Sequence, residues 1–327
     1  MTAERPPASP PRPGGLGPIR RLVLAQLRDA LGEGGSAPLP LDDPPGDPGL
    51  FGPASLAWRV HADLGSMLIG GYSALMLQML HPLAMAGVEQ HSAYREDPLG
   101  RLHRTARYVA GTTYGGRPLV DQLVDQVRTV HTHVRGVAPD GRPYRADDPH
   151  LLAFVHTCEV WGFLTAYQRY GPRPLLRPDK DAYLDEVAVL ADLLGANPVP
   201  RSVGAVRAYF RAIRPELEAT ADARSAFAFL RTAIGRRPAD VVAHRIVAEA
   251  AIDLLPGFAR TELGIAGLPG RIATGVVPGT GRLATRAAAA SLAAGLRLAL
   301  GPSLVRGAAE ARVAAGATIE EPEAGAR

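Results

Sequence analysis

Apolar residues recur along this chain at helical spacing rather than in strict alternation. Tracts near 55–62, 64–88, 98–111, 117–135, 147–170, 179–194, 201–215, 222–233, 238–254 and 283–300 each carry a stripe of period 3.6. Asp97-Pro98 and Asp148-Pro149 read as helix starts, and Gly111, Gly136, Gly171 and Gly195 as helix ends. No alternating run of useful length and no Asn-Gly hairpin interrupts them. The pattern predicts a mostly α protein, a single multi-helix globular domain behind a Pro/Gly-rich N-terminal tail.

The punctuation between tracts divides the chain. Residues 1–18 are a Pro-rich tail with too little apolar surface to order itself. Residues 19–53 hold a short amphipathic helix, Ile19 to Leu31, and an irregular arm dense in Gly and Pro. The helical domain proper is expected over 54–265. Residues 266–327 read as loop, C-terminal helix and tail, and the GTG at 279–281 lacks the Lys-Ser/Thr that a phosphate loop needs.

The window Leu64 to Val88 carries no Asp, Glu, Lys or Arg and is long enough to span a bilayer. Gly65, Gly70, Gly71, Gly87, Ser66, Ser73, Gln78, His81 and Pro82 dilute it, so it reads as one helix buried on all sides in a soluble core. Peripheral membrane association stays open.

Composition narrows the function classes. Hydrophobic residues make up 46% and charged residues 21%, the balance of a soluble domain with a sizeable core. Net charge is only +4 and arginine is spread through nearly every segment, so no nucleic-acid partner is indicated. The Pro-interrupted start does not have the shape of a signal peptide, and a cytoplasmic location is expected. With Cys158 as the single cysteine, a disulfide and a Cys-based zinc cluster are excluded. Any metal must be held by histidine or carboxylate.

Histidines are crowded: positions 61, 81, 91, 103, 131, 133, 150 and 156 lie close together, and only His244 lies outside. No HExxH motif occurs. On the tract 117–135, Val120, Leu123, Val124, Val127, His131 and Val134 form one stripe that places His131 inward and His133 outward. Burial favours the neutral imidazole, the form that donates a lone pair to iron or zinc, although a core histidine bonded to a carbonyl fits the same pattern. His156 shares a face with Leu152, Val155, Glu159, Val160 and Phe163 and is the rival ligand, with Glu159 able to orient its ring. His81, just before Pro82, is expected to be buried.

Arg101, Arg104, Thr105 and Tyr108 share one helical face. Either that face is solvated, or its guanidiniums and hydroxyl aim into a cavity where they could hold carboxylates or polarise bound oxygen. Glu89, His91 and Ser92 cluster just upstream, with Glu89 as a general-base candidate or a solvated helix-end carboxylate.

In order, LMLQMLHPLAMAGVEQHSAYREDPLGRLHRTARYVAGTTYG, VRTVHTHVRG, PYRADDPHLLAFVHTCEVWGFLTAYQRYG and YLDEVAVLADLLGANPVP resemble the MpaB and rubber-oxygenase (latex-clearing protein) family over residues 54–265. The resemblance implies a haem b (iron) dioxygenase that cleaves carbon–carbon double bonds in prenyl or polyisoprenoid chains. It further implies His131 as the axial ligand and Arg101 and Thr105 as the distal arginine and threonine. The rubber oxygenases carry lysine where Arg104 stands, and arginine seldom ligates iron, so an open distal site is expected. The expected function is therefore a haem b-dependent oxygenase acting with dioxygen on a small apolar substrate. The alternative is a non-catalytic helical haem- or lipid-binding protein. The sequence leaves the oligomeric state open.

Overall fold

A computed structural model describes residues 39–232, 238–265, 281–300 and 304–317. The expected tail and the helix Ile19 to Leu31 lie outside the described residues, as does most of the loop at 266–282. The fold is mostly α, as the spacing predicts. Its helices are α1 (Leu56–His61), α2 (Leu64–Gln78), α3 (Pro82–His91), α4 (Pro98–Tyr114), α5 (Arg117–His133), α6 (Pro149–Tyr170), α7 (Arg177–Leu194), α8 (Val203–Ile213), α9 (Ala221–Arg231), α10 (Pro238–Leu254), α11 (Gly257–Glu262), α12 (Arg282–Leu300) and α13 (Leu304–Ala317). A 3-10 turn, Arg214–Glu216, follows α8. The only strands among the described residues, β1 (Arg135–Val137) and β2 (Pro143–Arg145), pair antiparallel between α5 and α6 with Gly136 opposite Tyr144.

Capping side chains set several helix starts. Asp97 accepts from the Gly100 amide before Pro98, and Asp148 accepts from His150 and Leu151 before Pro149. Proline at the first helical position sacrifices no intrahelical bond there, and the Asp oxygen satisfies amides that would otherwise lack a partner. Gly195, at φ +89, closes α7 in the left-handed region.

Three expected boundaries move, the first at Gly136, which lies in β1 beyond the end of α5 at His133. Gly111 does not end α4, which continues to Tyr114: a Cβ at Gly111 would lie 2.3 Å from Leu123 Cδ1, so its bareness lets α4 approach α5. The charge-free window is not one helix but two, α2 and α3, bent by 107°. Pro82 has no amide to continue α2, and His81 takes an extended backbone that caps α3, its Nδ1 accepting from Leu83 N–H at 3.3 Å. Among the described residues no single helix is long and apolar enough to cross a membrane.

The core is organised by α2 against α6. Backbones meet at Gly70 and Gly162, where a Cβ on Gly70 would fall 2.7 Å from the Gly162 carbonyl oxygen and one on Gly162 2.4 Å from the Gly70 carbonyl oxygen. Around that crossing Ile69, Met76, Leu77, Phe154, Leu164 and Tyr167 are buried. Ala289 and Ala293 of α12 belong to the same core.

The C-terminal helix α13 packs on a smaller cluster of Leu41, Trp58, Tyr114, Leu119 and Ala309. Its Arg312 is buried and donates from Nε to the Asp47 carbonyl at 2.8 Å and from Nη1 to the carbonyls of Leu41 and Tyr114 at 2.6 and 2.7 Å. One side chain thus ties α13 to the 39–53 arm and to the end of α4.

Candidate functional site

Between α2, α3, α4, α5 and α6 lies a cavity of about 1610 Å³. Its walls are chiefly apolar, with Leu68, Leu75, Met79, Leu102, Val109 and Phe163 among them. It exceeds the roughly 300–1,000 Å³ typical of pockets for drug-sized ligands, which leaves room for a large cofactor and a substrate together. The corner between α2 and α3 makes this shape, because one apolar stretch of sequence turns at His81-Pro82 and supplies two walls.

His131 lies on this cavity near the end of α5. Its stripe is as the spacing predicts: Val120 and Val124 are buried, and Leu123, Val127 and Val134 partly so. Burial lowers the pKa of His131, with the Asp147 charge opposing, so the ring is neutral. No hydrogen bond to its ring occurs among the described residues, which leaves a lone pair for a ligand. His133 is exposed, against Thr129 O and Thr132 Oγ1.

Of the RLHRT face, Arg101 and Thr105 line the cavity and Arg104 does not. Arg101 is partly buried, is lowered in pKa by burial and then by the neighbouring Arg104, and donates to Ser92 Oγ. Thr105 sits at an exposed edge, its hydroxyl donating to Arg101 O at 3.1 Å. Arg104 is drawn to the capping carboxylate of Asp97, 3.4 Å away, with 64% of its side chain exposed. The expected pair of guanidiniums in the cavity is therefore a single one from that motif, and Arg107, one turn beyond Arg104, supplies the second.

Glu89 is not a lining residue. Its carboxylate accepts from Tyr94 Oη at 2.7 Å and pairs with Arg95 at 3.3 Å, because those two side chains fold back over the end of α3. The expected Glu89, His91 and Ser92 cluster does not form as a unit, since Ser92 serves Arg101 and His91 Nε2 contacts Tyr144 Oη at 3.1 Å. His156 also lies off the cavity. Burial, then the charge of Arg201, lowers it to about 4, and its Nε2 is enclosed without a partner. On α6, Leu152, Val155, Glu159 and Phe163 line the wall and His156 does not.

Three polar groups on the wall were not singled out as cavity residues by spacing. Glu159 lines the cavity, and burial raises its carboxyl to about 7. Its charge reaches the Tyr108 and Tyr183 hydroxyls, both raised first by burial. His61, lowered to about 3 by burial, contacts Thr113 Oγ1 at 2.8 Å and Tyr183 Oη at 3.0 Å. His103, inside RLHRT, lines the cavity with its Nε2 enclosed and unpartnered. Only tertiary packing places these groups; the one sequence signal was their position beside residues already singled out.

Fold and site define a helical domain around an apolar chamber, with the neutral imidazole of His131, the enclosed imidazole of His103 and the guanidiniums of Arg101 and Arg107 on its walls. The family model described as "ER-bound oxygenase mpaB/B'/Rubber oxygenase, catalytic domain" matches residues 58–290. The chain belongs to that family, an oxygenase family, and is an oxidoreductase by membership. No curated protein and no solved structure matches it.

Proposed function

We propose that this chain is a haem b-dependent oxygenase acting with dioxygen on a small apolar, alkene-bearing substrate, with His131 as the residue that would hold the haem iron. The observation that carries the reading is His131 itself: neutral, unpartnered, and on the wall of a chamber large enough for cofactor and substrate. Arg101 and Arg107 on the same wall suit the haem carboxylates, which prefer guanidinium partners. When bound, haem supplies the iron at which dioxygen is activated.

The chain's own residues then do the following. His131 would hold the metal through a ring nitrogen, which its burial keeps deprotonated at neutral pH. Leu68, Leu75, Met79, Val109 and Phe163 exclude water and orient an apolar chain. Glu159, poised near 7, holds or releases a proton at its carboxyl oxygen within the chamber. Arg104, exposed and paired with Asp97, takes no part in the chamber.

Expression with haem precursor tests this. The expected protein carries a Soret band and stoichiometric iron; His131→Ala abolishes or shifts the band and His156→Ala keeps it. Absence of both band and iron in the wild type overturns the reading, and the reverse variant pattern moves the ligand to His156. Oxygen uptake with prenyl or polyisoprenoid alkenes then separates an oxygenase from a binder using the same chamber.

A further inference from the structure

Away from the chamber, three segments distant in sequence converge on one point. His81 caps α3, His150 sits in the first turn of α6, and Glu216 ends the 3-10 turn after α8. Leu80, next to His81, accepts a backbone hydrogen bond from Glu218 N–H at 2.8 Å, which fixes the 3-10 turn against the α2–α3 corner. None of the three residues lines the chamber.

The geometry points to a site for a divalent transition cation of the zinc class, held by His81 Nε2, His150 Nε2 and Glu216 Oε2. The three ligand atoms lie within 4.8 Å of one another, with Glu216 Oε2 2.9 Å from His150 Nε2 and 3.5 Å from His81 Nε2. Ligand atoms on a tetrahedral zinc with bonds of 2.0–2.2 Å are about 3.3–3.6 Å apart, so the His81–Glu216 separation of 3.5 Å already has the value required and the His150–Glu216 separation of 2.9 Å must open by a few tenths of an ångström.

A second observation is independent of those distances. His81 is 1% exposed, and its Nε2 is enclosed and faces the cluster, where Glu216 Oε2 at 3.5 Å is its neighbour and no well-formed hydrogen bond is made. Two imidazoles and one carboxylate suit zinc and its transition-metal neighbours; calcium and magnesium call for a shell of oxygens. His150 and Glu216 are 44% and 43% exposed in their side chains, so the fourth position opens to water. The Arg142 guanidinium, whose field reaches His81, is engaged by Asp140 at 2.6 Å.

Binding has a defined local cost. With Nδ1 of His81 accepting from Leu83 N–H, the neutral ring carries its proton on Nε2. Coordination through Nε2 moves that proton to Nδ1 and gives up the 3.3 Å cap contact. The bound ion would in return join α3, α6 and the 3-10 turn at the corner.

The test uses the full chain without a histidine tag, stripped by chelator and titrated with zinc chloride by calorimetry, with and without added haem. One equivalent of zinc is expected to bind and to raise the thermal midpoint. His150→Ala and Glu216→Gln, both at partly exposed positions, should each weaken binding by more than the roughly 10–100-fold that loss of a mere outer-shell partner costs. Both should leave any Soret band unchanged, which separates this site from the haem reading. No zinc uptake by the wild type, or uptake that both variants retain at wild-type affinity, overturns the proposal.

Discussion

Replacing Glu159 by glutamine removes a charge and little volume, so it isolates the cost of a carboxylate in the apolar chamber. Burial raises this carboxyl from 4.5 to about 7. Its folded pKa lies above its unfolded one, so the folded state holds the extra proton. The associated stabilisation is complete below about 4.5 and is lost as pH rises through about 7. At about 1.36 kcal/mol per unit, the carboxylate costs on the order of 3 kcal/mol of stability at pH 8. Glu159→Gln should come within about 1 kcal/mol of the wild type at pH 5 and exceed it at pH 8 by on the order of 3 kcal/mol, roughly 5–10 °C in thermal midpoint. The buried histidines act in the opposite sense: His61 and His156 are lowered to about 3 and about 4, so their contribution is present above 6.5 and lost as pH falls. Subtracting variant from wild type at each pH cancels them. Thermal unfolding monitored by circular dichroism from pH 5 to pH 8, without added ligand, is the assay. An advantage of the variant that is absent at pH 8, or equal at both ends of the range, would refute the assignment of a desolvated carboxyl.

Three further outcomes are expected. Gly162→Ala should destabilise by about 1–3 kcal/mol, since its Cβ would land 2.4 Å from the Gly70 carbonyl oxygen, whereas Gly204→Ala in α8, with no heavy atom nearer than 3.9 Å, should stabilise by about 0.4–1 kcal/mol; thermal midpoints moving the same way would contradict the packing argument. Arg312→Met keeps the stem but strands the carbonyls of Leu41, Asp47 and Tyr114 at about 1–3 kcal/mol for each left unpaired, and should speed limited proteolysis of α13; an unchanged digestion rate would mean that the helix is held by its alanine face alone. In haem-loaded protein, Arg101→Gln should lower haem affinity while Arg104→Gln leaves it unchanged, as read by haem transfer to an apoglobin; equal losses would deny the different placement of the two guanidiniums.

What was legible in the sequence was periodic. The stripe through Val120, Val124 and His131 follows from spacing alone, and so do the starts at Asp97-Pro98 and Asp148-Pro149. The bend at His81-Pro82 has a proline as its only sequence signal, and the length of the apolar window fits one buried helix and two short helices around a chamber equally well. Which way long side chains reach was not legible. Arg101 and Arg104 share a helical face, yet Asp97 captures the second; Glu89 was paired by Tyr94 and Arg95, whose return over α3 no periodicity encodes. Glu159 and His103 acquire their setting only when α4 and α6 face each other across the chamber.

The anchoring of α13 by Arg312 bears on how the chamber is walled. Leu39 and Leu41 from the arm, and Val305 and Ala308 from α13, stand on the chamber wall, and the guanidinium clamps those two segments together. A chain cut before Leu304 would keep His131, Arg101, Arg107 and Glu159, the polar groups on which the proposed function rests, and would still lose part of the chamber wall. Closure of the chamber would then depend on a helix bearing no motif, more than two hundred residues from the arm against which it closes.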